Sequence, residues 1–597
     1  MSQIKKRSEI EEKYKWNLEA IYPDNQAWET EYKEVQSLAA DIEGKKGSLG
    51  NSAADLLAVL KSSDELETKA EKIYVYAKMR RDEDNANNNY QILYDRAENL
   101  IIRVNSASSF IVPEISNIPE DKLRDFLAEN QDLSVYQHFF DEILRQKKHI
   151  LSVAEEKILA NVADLSYAPT NIFSMINNAD IKFPIIKDEK GNDVELTKGR
   201  YGRFMESEDR RVRRDAYKAL YSSYGKLKNT IGTTLSSSVK KDIFYARTRK
   251  YNSAIEAALD QDNVAVEVYD RLIDTVHKNL DYMYRYIDLR KKLLGLDKLQ
   301  MYDIYVPLIK NIDVEITYEE AKDLVVKGLE PLGADYLKIL QEGLNSGWID
   351  VYENEGKTSG AYSWGSYATS PYILLNYDNK LNDVFTLAHE LGHSLHTYYS
   401  NSSQPYVYSQ YSIFVAEVAS TVNESLLIDY MINKAKNDQE KMYLINHYLE
   451  QFRGTVYRQT MFAEFEKIIH EKVENGEALT PEILSEVYQG LNELYYGAGI
   501  ELDEKIASEW MRIPHFYSAF YVYKYATGFS AATALKEQII KEGEPAVNRY
   551  IDFLKSGSSD YPLNVLKKAG VDLTKAEPVQ DALDYFGRLV GKLEELV

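Results

Sequence analysis

Two histidines four residues apart, His389 and His393, with Glu390 directly after the first, constrain this chain more than any other feature. The pair can cooperate only on an α-helix, where positions i and i+4 lie one turn apart on the same face. The surrounding residues have the pattern for such a helix. Val384, Leu387, Ala388, Leu391 and Leu395 supply an apolar face, and Asn379 or Asn382 can cap its start. Two neutral imidazoles so placed can bind one Zn²⁺ at about 2.0–2.1 Å. Glu390 is rotated by roughly 100° around the helix. That is too far to share the ion comfortably, but it leaves the carboxylate within reach of a water bound there, the position of a general base. Gly392 costs about 1 kcal/mol against Ala in a helix interior. A close approach by another backbone or by a substrate would explain it.

The chain has no cysteine, so any metal must be held by His, Asp, Glu or water. A catalytic zinc site needs a third protein ligand and one open position. Glu417, 24 residues after His393, lies in the otherwise apolar, helix-like stretch 413–425. A carboxylate there is costly to bury unless it is paired or bound to metal. Residues 400–410 leave room for the chain to turn back against the first helix. Glu424 returns to almost the same face two turns after Glu417, and is expected to accept a hydrogen bond from a ligating imidazole. His396 is expected to pack rather than ligate, because three histidines on one helix strain a tetrahedral site. Only three plausible ligands leave the fourth position open, which points to one catalytic rather than structural zinc ion per chain.

At 597 residues the chain exceeds a single core, which stops growing at about 250–300 residues, so two or more lobes are expected. Helical periodicity dominates, with helices expected over residues 30–110, 114–165, 209–225 and 265–293. Residues 181–197 read as a β-hairpin, and a boundary placed after it gives an N-terminal helical lobe, 1–200, and a catalytic domain, 201–597. A second β-like patch covers 348–378. The fold class is therefore mainly α, with a small β-sheet beside the motif helix. The 47 tyrosines suit a large internal surface where ring and hydroxyl are both used.

The formal net charge of −22 argues against nucleic acid as a partner. The one dense basic run, Arg210 to Arg214, is flanked by Glu208, Asp209 and Asp215 and reads as a solvated helix face. No stretch approaches a membrane span, and the charged start MSQIKKRSEIEEK lacks an apolar leader core, so a cytoplasmic location is expected. Oligomeric state is left open by these features.

The run Thr386 to Ser394, followed by Phe414 to Glu417, resembles the thimet oligopeptidase family of zinc peptidases, in its bacterial oligoendopeptidase F branch. The resemblance extends through Gly360 to Ser363, Leu375 to Tyr377, Ile513 to Tyr517 and Phe520 to Gly528, and to Trp16-Asn17-Leu18 with Ile21-Tyr22. It implies two helical lobes enclosing a deep substrate channel. It implies internal cleavage of short unstructured peptides, since a narrow channel excludes folded proteins. It also implies zinc ligation by His389, His393 and Glu417, with Glu390 as catalyst. A late histidine and tyrosines that contact the substrate carbonyl or the tetrahedral intermediate map onto His515, Tyr521 and Tyr525. Here the chain departs from the family pattern, because Phe520 stands where the first such tyrosine is expected and Tyr521 and Tyr525 are shifted by one. Tyr517 and Tyr523 are rivals for the role. The segment Gly360, Ala361 and Tyr362 is expected to pair with a peptide backbone as an edge strand. An exopeptidase would instead need a fixed cation for a terminal carboxylate, and no dedicated arginine stands out.

Overall fold

The structure, a computed structural model, describes residues 4–309 and 315–597. The chain divides into two compact units, each assembled from three stretches. The first comprises Met1–Lys148, Val314–Tyr430 and Leu535–Gly570, and the second His149–Asp313, Met431–Ala534 and Val571–Val597. The single boundary expected near residue 200 is not where the units divide. The hairpin that suggested it does form, as β1 (Ile185–Lys187) antiparallel to β2 (Asp193–Glu195), but it lies inside the second unit. A local change of element type marks a turn in the chain, not the edge of a core. The remaining described strands are β3 (Leu299–Gln300), β4 (Ile349–Asp350), β5 (Tyr362–Trp364), β6 (Tyr372–Leu374) and β7 (Ile500–Glu501). The rest of the regular structure is helical, as the periodicity predicts.

In the first unit, helices Asn25–Glu43, Ala53–Glu83 and Asn88–Ser108 pack together, each started by a side-chain cap from Asp24, Ser52 and Asn87. Their apolar faces bury Trp28, Val35, Leu56, Leu66 and Ile73, and Tyr372 and Leu374 of β6 join the same core. The three-stranded sheet runs β4-β6-β5, parallel then antiparallel, which leaves β5 at an edge. Ion pairs tie β4 to the start of the chain and to the loop that follows it. Arg7 pairs with Glu83 at 2.8 Å and with Asp350 at 2.7 Å, and Lys357 pairs with Asp350 at 2.7 Å. Burial alone would raise the Asp350 carboxyl, but Lys357 and Arg7 hold it below its ordinary value. At the end of helix Ala53–Glu83, Asp82 accepts hydrogen bonds from the Tyr362 hydroxyl at 2.9 Å and from Thr358 Oγ1 at 3.1 Å, so β5 is tied to that helix.

The second unit is built on helices that include Arg210–Gly225, Lys228–Thr248, Leu280–Leu293, Asp438–Phe452, Arg458–Glu474 and Pro481–Tyr496. Its core is rich in tyrosine whose hydroxyls find partners: Tyr269 donates to Ala463 O at 2.6 Å and Tyr488 to Glu509 at 2.6 Å. The basic run at 210–214 is not simply a solvated face. Arg213 is buried and donates to Asp303 at 2.7 Å, and Arg210 pairs with the same carboxylate at 2.8 Å. Asp303, 90 residues on from Arg213, is a partner that local sequence cannot reveal. Among the described residues no helix is long and apolar enough to cross a membrane.

Candidate metal centre

The motif lies on helix Leu381–Ser403, in the first unit. Neither Asn379 nor Asn382 caps it. The N-cap is Lys380, whose backbone N–H is taken by Asp383 Oδ2 at 3.0 Å, and the same oxygen accepts from Asp378 N–H at 2.8 Å. A first-turn carboxylate therefore does the capping work, reaching back to two orphan donors at the positive end of the helix. Val384, Leu387, Ala388, Leu391 and Leu395 are all buried, as their spacing predicts.

The third donor comes from helix Ile413–Lys434. The two helices cross at Gly392. A Cβ built there would stand 2.5 Å from Ser420 Cα and 2.8 Å from Ala419 O, so only glycine allows the backbones this close. Asn423 reinforces the crossing by donating from Nδ2 to Ala388 O at 3.2 Å, and it is itself held by the Tyr336 hydroxyl at 2.9 Å. That contact brings Glu417 onto the histidine face. His389 Nε2 and His393 Nε2 stand 3.1 Å apart, and Glu417 Oε2 lies 3.3 Å from the first and 3.4 Å from the second. Among the described residues this is the group of His, Asp or Glu whose donor atoms converge as a metal site requires.

The donor set fits a zinc ion. Ligands at about 2.0–2.1 Å in a tetrahedron stand about 3.3–3.4 Å from one another, close to the spacing found. The chemistry fits as well, with two imidazoles and one carboxylate meeting at half-buried positions. Glu424 Oε1 accepts from His389 Nδ1 at 2.5 Å, which fixes the tautomer that leaves Nε2 free to ligate. Ser420 Oγ donates to Glu417 Oε2 at 3.1 Å and steadies the third donor. Burial opposes charge on His389, but the neighbouring Glu417 and Glu424 outweigh it and raise its pKa to about 10. Burial likewise opposes charge on Glu417, and its hydrogen bonds to His389 and His393 hold it well below the carboxylate range. Both shifts say the same thing: two carboxylates favour a positive charge between them.

Glu390 is buried on this helix, and its carboxylate has no hydrogen-bond partner among the described residues. Burial raises its pKa above the ordinary value, with the nearby histidines opposing the shift. His396 packs: its ring stacks on Tyr411 at 3.6 Å with 2° between planes, and burial pushes its pKa down to about 3. The motif helix also meets the sheet, where Ser394 Oγ and Ser363 Oγ share a hydrogen bond of 2.8 Å. Just before β5, Gly360 holds φ +88° and its carbonyl accepts from Asn376 Nδ2 at 2.8 Å. Ala361 follows it into the strand, half-buried.

His515, Tyr521 and Tyr525 lie in the second unit and form a group of their own. The Tyr525 ring stands 6.0 Å from His515 and 5.4 Å from Tyr521, edge-on to both. His515 sits in a short 3-10 turn, Pro514–Tyr517, and not at the start of an α-helix. Of the rivals, the Tyr517 hydroxyl is occupied by Thr234 at 2.8 Å, and Tyr523 is fully buried against Tyr269. Phe520, the residue that breaks the expected tyrosine spacing, holds φ +54°. That is a left-handed conformation that costs a bulky residue about 1–3 kcal/mol. It is secured by Glu466, a fully buried carboxyl that accepts from Phe520 N–H at 3.2 Å. The sequence patterns above do not single out Glu466, Ser394, Ser420 or Asn423. For Ser420 a signal exists, since Glu417, Ser420 and Glu424 recur at helical spacing in an apolar stretch.

Known proteins resemble this chain over most of its length. Residues 203–585 match peptidase family M3, and residues 114–183 match the N-terminal domain described as oligopeptidase F. Oligopeptidase PepF of Bacillus subtilis is 51% identical over 596 residues, which covers 100% of this chain and 89% of that protein. The crystal structure of oligoendopeptidase-F from Enterococcus faecium superposes with a TM-score of 0.73 at 38% identity, covering 96% of this chain and 99% of that one. A solved chain from Chlamydophila abortus gives a TM-score of 0.94 at 36% identity, with complete coverage of both. With the family match spanning well over half the chain, this protein belongs to peptidase family M3 and is an enzyme that hydrolyses peptide bonds.

Proposed function

We propose that this chain is a zinc-dependent endopeptidase acting on internal bonds of short, unstructured peptides, with one zinc ion per chain and a cytoplasmic location. The observation that carries the reading is the convergence of His389 Nε2, His393 Nε2 and Glu417 Oε2 at 3.1–3.4 Å, with His389 anchored on Glu424. These three residues would hold the ion. When bound, zinc supplies Lewis-acid polarisation of a water and of the scissile carbonyl.

The chain's own residues supply the rest. Glu390, one residue from the first histidine and carrying no competing hydrogen bond, takes the proton of the attacking water and returns it to the leaving amine. Its burial raises its basicity toward that task. His515, Tyr521 and Tyr525 are assigned as donors to the developing oxyanion. Tyr521 and Tyr525 are partly exposed, unlike Tyr517 and Tyr523. The edge strand β5, preceded by Gly360 and Ala361 and including Tyr362, offers backbone groups to an extended peptide. This gives binding that tolerates many sequences.

The test combines metal analysis of the purified protein with a quenched-fluorescence peptide assay, with and without chelator. Stoichiometric zinc and chelator-sensitive activity are expected, and activity without bound metal would overturn the reading. Product masses from a mid-length peptide separate internal cleavage from stepwise loss of terminal residues. For β5 the useful variant is Ala361→Pro, because proline at Gly360 would by itself break the φ +88° turn. A raised KM with little change in kcat is expected, and an unchanged KM would remove the strand from the proposal.

A further inference from the structure

The second unit contains a buried cluster of arginines that the peptidase chemistry does not use. Helices Asp438–Phe452 and Arg458–Glu474 are joined by a single π turn, Arg453–Tyr457, closed by the Arg458 backbone N–H donating to Arg453 C=O. In an α-helix, residues five apart point in different directions. The i→i+5 closure puts Arg453 and Arg458 one turn apart instead. Such π turns are costly, and they are frequent at functional sites.

The two acids that serve this cluster are saturated. Glu450 accepts from Arg290 Nη1 at 2.9 Å and from the Tyr286 hydroxyl through Oε1, and from Arg453 Nε at 3.1 Å and Nη2 at 2.7 Å through Oε2. Glu509 accepts from Arg458 at 2.8 Å, Arg512 at 2.5 Å, Tyr221 at 3.1 Å and Tyr488 at 2.6 Å. Among the described residues, four guanidiniums therefore share two carboxylates. The Arg453 and Arg458 Nη1 atoms are both enclosed and have no acceptor among the described residues. Arg453 is 3% exposed. Ring faces cover the flat sides of the two groups, with Tyr305 4.9 Å from Arg453 and Phe462 4.5 Å from Arg458. In-plane Nη1–H bonds cannot be satisfied that way. Tyr305 and Tyr496 lie within electrostatic reach of both arginines.

A water could satisfy the donors, but it would leave the excess of guanidinium over carboxylate charge in place, and uncompensated charge is expensive to bury. We propose that the Nη1 groups of Arg453 and Arg458, with Tyr305 and Tyr496 within electrostatic reach of both, form a binding site for one halide-sized inorganic anion. Enclosure of both Nη1 atoms excludes a bulky ligand, and guanidinium N–H donors suit a compact anion.

Bromide is the probe. Thermal unfolding of the zinc-loaded enzyme is followed at constant ionic strength as sodium gluconate is replaced by sodium bromide. A saturable rise in midpoint is expected. Arg458→Lys keeps a cation for Glu509 but has no Nη1, and should raise the half-saturating bromide concentration at least about tenfold. Tyr496→Phe is a milder second variant in case the lysine form does not fold, and should weaken the response in the same direction. Crystals soaked in bromide should show an anomalous peak within hydrogen-bond distance of both Nη1 atoms. A linear, non-saturating midpoint response that the variants share with wild type would overturn the site. So would bromide peaks elsewhere with none at this pair, or binding of phosphate alone.

Discussion

Two charged clusters, one in each unit, are built on opposite principles. At the motif helix, two carboxylates and two imidazoles converge with acceptors in excess, and the cluster favours a cation. At the π turn, four guanidiniums share two carboxylates, and donors are in excess. Both depend on helical phase. The imidazoles are aligned by ordinary α-helical spacing of four, whereas the arginines are aligned by a spacing of five that only a π turn creates. The difference teaches that a site read from spacing alone assumes regular geometry. Where the backbone departs from it, paired residues look unrelated in sequence.

The comparison can be broken most decisively at Glu390. Glu390→Gln should lower kcat by about a thousandfold, the middle of the range for general acid–base catalysis, with zinc content unchanged. Full activity in that variant would separate the cation cluster from catalysis. Because burial raises the Glu390 carboxyl and the base must be ionised, kcat/KM should fall as pH drops through a value above the ordinary 4.5. An acid limb below that value would contradict the assignment.

Glu424 sharpens the same cluster. Removing its charge with Glu424→Gln should weaken zinc binding by about 10–100-fold, measured by competition with a chelating dye. An unchanged affinity would mean that the 2.5 Å contact to His389 does not orient the ligand.

Gly392→Ala tests how the cation cluster is assembled. The added methyl meets Ser420 Cα at 2.5 Å, so the helices must separate. Overpacking costs about 1–3 kcal/mol, of which alanine's helix preference returns about 1. A lower unfolding midpoint is expected together with weaker zinc binding. An undisturbed protein would show that the crossing yields easily.

The smallest effect is expected at Glu466. Its carboxyl is raised well above 4.5 by burial, with Asp242 reinforcing the shift and Phe520 N–H opposing it. The folded protein keeps the proton, whereas the unfolded chain releases it near pH 4.3. Stability from this group is thus fully present below the unfolded value and declines as pH rises toward the folded one. Glu466→Gln should remove that decline, gaining on wild type between pH 5 and 8 and converging with it near pH 4. Parallel stability profiles would refute the protonated state.

Much of the candidate metal centre is legible in the amino-acid sequence. His389, His393 and Glu390 follow from a fixed helical spacing, and Glu417 and Glu424 stand out as acids in an apolar helix. The late group is less legible. His515, Tyr521 and Tyr525 follow from resemblance, and their turn depends on a left-handed Phe520 held by Glu466, 54 residues earlier. The division into two units is not legible, because each draws on three separated stretches. The cap of the motif helix differs from the expected asparagines, since an acid inside the first turn can reach back as well as an Asn can reach forward.

The amino-acid sequence by itself determined the elements: a helical chain without cysteine, a histidine face one turn long, and acids spaced to meet it. Those properties are local, set by the 3.6-residue turn and by the cost of placing charge among apolar residues. Tertiary structure alone decided which backbones touch at Gly392, which carboxylate completes the imidazole pair at 3.3–3.4 Å, and which arginines a π turn brings together. Those outcomes depend on contacts between residues far apart in the chain, and no local preference encodes them.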